Sequence, residues 1–181
     1  MLTNIYDVLR APKTAMARIA DEADIYKSLN VQGISIFING LVNEYDPMSE
    51  DPLWLTILSA VIATPVALVV IYLMAGVTRG IAHLLGGQGT WKKDFITLGY
   101  GMLPQLLFIP FEVLFLAIGI ETGVIIAGII ATVWSLVLSV LGVSKAEKLS
   151  LIKSCIVLFA PTVIAFVLGM IFVFAVIGMP Q

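Results

Sequence analysis

Four apolar runs dominate this chain: Leu53 to Gly76, Phe95 to Ile120, Gly123 to Val143 and Ser154 to Met179. Each reaches the length of about 20 residues needed to cross the ~30 Å hydrocarbon layer of a bilayer. Within them Glu112 is the only charged side chain. Of the 181 residues, 60% are hydrophobic and 12% charged, against roughly 45–50% and about 25% in soluble domains. Such a chain has too little polar surface to coat itself in water. These runs predict an all-α polytopic bundle and argue against a soluble enzyme.

A fifth stretch, Leu29 to Val42, is shorter and carries Asn30, Gln32, Ser35 and Asn39. Hydropathy alone leaves it re-entrant or interfacial, and charge placement decides. If it crosses with the N-terminus cytoplasmic, all ten Lys and Arg fall inside: Arg10, Lys13, Arg18 and Lys27 before it, Arg79, Lys92 and Lys93 between the second and third spans, and Lys145, Lys148 and Lys153 between the fourth and fifth. Glu44, Asp46, Glu50, Asp51 and Glu121 then stand outside. Five spans, the first one weak, with the N-terminus in and the C-terminus out, is the expected topology. The basic face would attract anionic headgroups; it is not a sign of nucleic acid.

The opening segment does not read as a cleaved signal peptide. Residues 1–28 read instead as a cytoplasmic interfacial segment of amphipathic helices. Leu2, Ile5, Tyr6 and Leu9 share one face, and after Pro12 the pattern repeats in Met16, Ile19, Ala20 and Ala23. These faces suit the leaflet surface, with packing under the bundle or against a partner as the alternative. Cys155 stands alone, which excludes an internal disulfide. His83, the single histidine, lacks a second ligand at metal spacing, so no metal and no cofactor is expected.

Small residues recur along the fourth span at Gly128, Thr132, Ser135, Ser139 and Gly142, a stripe that allows a second backbone to come close. Thr56, Ser59, Ala63 and Ala67 form a similar face on the second span. Internal prolines at Pro65, Pro104, Pro110 and Pro161 each remove a helical hydrogen bond, and the third span, with two, should be the most irregular. Glu112 is the intramembrane polar candidate, a carboxyl able to bind a proton or cation, with a protonated acid hydrogen-bonded to a neighbouring helix, or one reaching the outer interface, as the alternative.

The other informative stretch is TRGIAHLLGGQGTWKKDF. Gly86, Gly87 and Gly89 permit turns closed to other residues, Arg79, Lys92 and Lys93 surround them, and His83 and Trp91 suit the headgroup zone. The pattern is not a nucleotide loop. These eight residues are the candidates for contact with a lipid headgroup or a partner.

The run HLLGGQGTWKKDFITLGYGMLPQLL, with Gly99, Tyr100 and Pro104 after the glycine turn, resembles the signature of the Yip1 family, and VLRAPKTAMARI resembles the start of its prokaryotic members. That resemblance implies a five-span membrane domain, here residues 29–181, with spans near 29–42, 53–76, 95–120, 123–143 and 154–179. Eukaryotic members associate with prenylated Rab GTPases through a region carrying an Asp-Leu-Tyr-Gly-Pro motif. Asp24-Ile25-Tyr26-Lys27-Ser28 matches that motif poorly, so Rab binding is not carried over. The implied role is a non-enzymatic organiser of membrane or partner proteins, in a prokaryotic cell membrane, acting on lipids, a protein partner or a second copy of itself. Two alternatives are a small transporter or channel built on Glu112, and a lipid scramblase or lipid-acting enzyme, for which His83 with Asp94 is the one reactive pair.

Overall fold

The computed structural model describes residues 2–44 and 52–177. Among these, every regular element is a helix: α1 (Leu2–Arg10), α2 (Pro12–Glu22), α3 (Ile25–Glu44), α4 (Leu53–Leu84), α5 (Trp91–Gly101), α6 (Leu103–Ala117), α7 (Glu121–Glu147) and α8 (Leu151–Ile177). Four stretches are long and apolar enough to cross a membrane: α4, the combined α5 and α6, α7, and α8 over Leu151–Ile171. The chain folds as an all-α polytopic bundle. The helices overrun the apolar runs; α4 continues two turns past Gly76, so Arg79 and His83 sit on a helix, and the connection to α5 shrinks to residues 85–90.

The third expected span, Phe95 to Ile120, is the broken one. Its helix is interrupted at Met102, whose N–H turns back to the Gly99 carbonyl at 3.2 Å, and Pro104 occupies the first turn of α6. Proline has no N–H to continue the ladder and crowds the preceding turn, which is why the break falls here. In α4 the helix continues through Pro65, and the adjacent Thr64 hydroxyl donates to the Ala60 carbonyl at 2.7 Å.

Helix α3 explains its own low hydropathy. Asp24 accepts a hydrogen bond from the Lys27 N–H at 3.1 Å; that bond, followed by the Lys27 ammonium, holds the Asp24 carboxyl below its ordinary value. The polar residues beyond it face inward. Ser28 and Gln32 are fully buried, with Ser28 Oγ donating to the Ile96 carbonyl at 3.3 Å and Gln32 Nε2 donating to Ser28 Oγ at 2.8 Å and to the Phe95 carbonyl at 3.3 Å. Gly99 makes room for Gln32, since a Cβ there would overlap its side chain. A buried amide needs such partners, and the Gln32 amino group finds them in Ser28 and in the backbone of α5.

The apolar core is concentrated at one end of the bundle. Val8, Met16, Ile19, Val31, Phe95, Ile96, Tyr100 and Leu138 pack together where α1, α2, α3, α5 and α7 meet. The apolar face of α2, read from the sequence as turned to lipid or packed under the bundle, is turned to α5 and α7: Met16 is fully buried. Pro12 starts this helix and Ala23 ends it with positive φ, its N–H bonded to the Ile19 carbonyl. Along the remaining length of the spans, large side chains such as Val61, Val69, Ile129 and Ile164 stand exposed. Hydrocarbon solvates such residues as well as a core would, so no burial is required of them.

At Gly142 α2, α5 and α7 are in close contact; a Cβ there would lie 2.8 Å from both Met16 Cε and Thr97 Cβ. Gly76 has nothing within 4 Å of the same position. Gly142→Ala is expected to destabilise the detergent-solubilised protein by about 1–3 kcal/mol, read as an earlier thermal unfolding transition. Gly76→Ala should leave the transition unchanged or raise it, and equal behaviour of the two variants would refute close packing at Gly142.

Candidate functional site

The glycine turn is shaped by the way α4 ends. The Gly86 N–H bonds to the His83 carbonyl at 3.1 Å and the Gly87 N–H to the Ala82 carbonyl at 2.8 Å, with Gly86 at φ +89°. This is a Schellman termination, whose left-handed residue is ordinarily glycine because a Cβ is strained there. The chain then folds onto the end of α7. The Gln88 N–H bonds to the Glu147 carbonyl at 3.0 Å and the Gly89 N–H to Glu147 Oε2 at 2.8 Å. Thr90 starts α5, its hydroxyl accepting from the Lys93 N–H at 3.4 Å.

Glu147 is the centre of this arrangement and is fully buried. Arg79 Nη1 lies 2.6 Å from its Oε2 and also donates to the Gly87 carbonyl at 3.3 Å. Gly87 and Gly89 are required by close approach rather than by φ. A Cβ on Gly87 would overlap the Glu147 carboxylate and lie 2.8 Å from the Ala82 carbonyl oxygen, and one on Gly89 would overlap the Ala146 carbonyl. Asp94, in the first turn of α5, is fully buried and turned to the same carboxylate. Among the described residues, two buried carboxyl groups thus face each other while the guanidinium pairs with Glu147 alone, and no donor reaches Asp94 Oδ1, Asp94 Oδ2 or Glu147 Oε1.

The eight candidates divide between an interior group and an outer rim. Arg79, Gly87 and Gly89 converge on Glu147. Outside stand His83, Gly86, Trp91 and Lys92, all exposed. Trp91 sets its ring edge-on to Tyr72, centroids 4.7 Å apart, and Lys93 is half-buried, 3.8 Å from Asp21 of α2. No hydrogen bond joins exposed His83 to buried Asp94, so the one reactive pair legible in the sequence is not assembled. Among the described residues no three metal-ligating side chains gather.

The stripe on α7 has two surroundings. Gly142 meets Met16 and Thr97, Ser139 meets Gly101, and Ser135 is buried. Thr132 and Gly128, farther along, line a cavity of about 500 Å³ between α3, α4, α6 and α7. Glu112 borders the same cavity, with Asn39 and Gln105.

Glu147 was missed by sequence reasoning. It lies 68 residues from Arg79, so no local spacing marks the pair, and as the last residue of its helix it reads as an ordinary interfacial acid. Removing one member leaves the other buried without its partner, at a cost of about 3–5 kcal/mol. Arg79→Met should therefore lower thermal stability sharply, while the double variant Arg79→Met, Glu147→Leu should recover much of the loss. Additive losses in the double variant would show that the two side chains do not act as a pair.

The Yip1 domain family model matches residues 6–173, nearly the whole chain. No curated protein and no solved structure matches it. With its apolar helices and this match, the chain is a multi-pass integral membrane protein that belongs to the Yip1 domain family.

Proposed function

We propose that this protein is a non-enzymatic organiser of the prokaryotic cell membrane, holding anionic lipid headgroups or a protein partner at its cytoplasmic end. The observation that carries this reading is the contrast within the glycine turn. Its backbone is fixed from inside by Glu147 and Arg79, while Trp91 and Lys92 face outward on its rim. A rigid turn presenting a cation beside an interfacial aromatic loses little conformational freedom on contact, which favours binding. Lys148, exposed beside Glu147 at the left-handed end of α7, adds a second cation.

The five-span topology belongs to the same reading. Helix α3 is 20 residues long, about 30 Å at 1.5 Å per residue. It meets Phe95 and Ile96 near the start of the third span and shares the cavity with Glu112 near that span's other end. A helix lying beside most of a spanning segment has the reach to span with it, its polar residues turned inward. This supports placing the glycine turn on the cytoplasmic side with the basic residues.

Two measurements test the proposal. Purified in native-lipid nanodiscs, the wild type should retain anionic lipid or a partner that the Lys92→Ala, Lys93→Ala double variant loses, as identified by mass spectrometry; identical bound material would remove the turn as the working surface. A single cysteine at Gln88, with Cys155 replaced, should resist an impermeant thiol reagent in intact cells and react once they are opened. Labelling in intact cells would invert the topology.

A further inference from the structure

We infer that the cavity bordered by Glu112 is a binding site for a primary ammonium group, supplied by a lipid headgroup or by a small amine from solution. This site is separate from the glycine turn, and its standing does not depend on that surface.

The cavity joins polar groups from three helices: Asn39 of α3, Gln105 and Glu112 of α6, and Thr132 of α7. Glu112 has no hydrogen-bond or ion-pair partner among the described residues. Asn39 Nδ2 donates to the Ser35 carbonyl at 2.8 Å, leaving its amide oxygen as an acceptor. The side chains of Gln105 and Thr132 are likewise without a partner among the described residues. One carboxylate and three neutral oxygens make a site of single negative charge. Calcium takes six to eight oxygens and usually more than one carboxylate, which is more than these four side chains present. An ammonium carries three N–H donors and one positive charge, which matches the set.

Size points the same way. About 500 Å³ is far more than a bare ion occupies and falls in the range of small-molecule pockets. Met102 and Ala131 supply an apolar wall, suited to the carbon atoms next to the nitrogen. The position also suits a lipid. Glu112 is five residues short of the end of α6 at Ala117, about 8 Å along the axis, and Thr132, which lines the cavity, is exposed. A headgroup can therefore reach the carboxylate from the nearer membrane face without crossing the bilayer.

The test uses the full chain in phosphatidylcholine nanodiscs containing a minor fraction of phosphatidylethanolamine, with native mass spectrometry reading which lipid stays bound. In parallel, ethanolamine and tetramethylammonium, which has no N–H donors, are titrated into phosphatidylcholine-only nanodiscs by calorimetry. The wild type should retain phosphatidylethanolamine over phosphatidylcholine, or bind ethanolamine and not tetramethylammonium. The first result places the ammonium on a lipid and the second in solution. Glu112→Gln should weaken whichever is seen by about tenfold or more, since a charge-assisted hydrogen bond is lost. Gly128→Ala is the second variant: its Cβ would sit 3.7 Å from Glu112 Oε1, an ordinary contact, so it should fold while narrowing the approach to the carboxylate. Where Glu112→Gln does not fold, Gly128→Ala carries the same decision. No preference for primary over quaternary ammonium in the wild type, or a preference unchanged by these variants, would overturn the assignment.

Discussion

The end of α4, the turn that follows it, the start of α5 and the end of α7 all meet on one buried carboxylate. Glu147 accepts from the Arg79 guanidinium and from the Gly89 N–H, and its backbone carbonyl takes the Gln88 N–H. A charge removed from water costs several kcal/mol unless it is paired and hydrogen-bonded, so the sequence around it is constrained from three directions. Arg79 must lie one and a half turns before the helix end to reach over Gly87. Gly87 and Gly89 must lack side chains because the carboxylate and the Ala146 carbonyl occupy that space. Each of these requirements is local, and together they fix the geometry by which two spanning helices are joined at one end.

A membrane protein cannot rely on water to drive its helices together, because lipid tails accommodate Leu and Val readily. This bundle concentrates specific contacts instead. Toward the end that carries the glycine turn are the buried Ser28 and Gln32 bonded to the α5 backbone, the Gly142 contact with Met16 and Thr97, and the Glu147 cluster. Past the break at Met102 the helices leave the space that Glu112 borders. The same stripe on α7 serves both regions: where α2 and α5 reach it the small residues are filled in, and where they do not it lines a cavity.

The spans were legible because hydropathy over about 20 residues reflects the thickness of the solvent, whatever the packing. The irregularity of the third span was legible too, since Pro104 removes a donor wherever it stands. The amphipathic pattern of α2 was visible, although what Met16 touches was not, because Gly142 is more than a hundred residues away. The glycine turn drew attention through its composition and its likeness to a family signature, and Gly86 could be explained from the turn alone. Gly87 and Gly89 could not. Their reason is Glu147, an acid separated from Gly89 by 58 residues and from any periodic pattern that would mark it. Glu112 stood out as a lone charge in an apolar run; the cavity beside it depends on how four helices assemble, which no single helix encodes.

The separation of Arg79 and Glu147 also bears on how the molecule is made. Translation at about 5–20 residues per second puts roughly 3–14 s between the synthesis of the two residues. Throughout that interval the guanidinium has no Glu147 to pair with, and the turn lacks the carboxylate that later receives the Gly89 N–H. Until α7 has been inserted, α4 and α5 are joined by their own turn hydrogen bonds and by the packing of Tyr72 on Trp91 and Phe95. Closure of this end is a late event of biogenesis, and a chain arrested before Glu147 would hold α4, α5 and α6 with their joint unmade and α8 still missing.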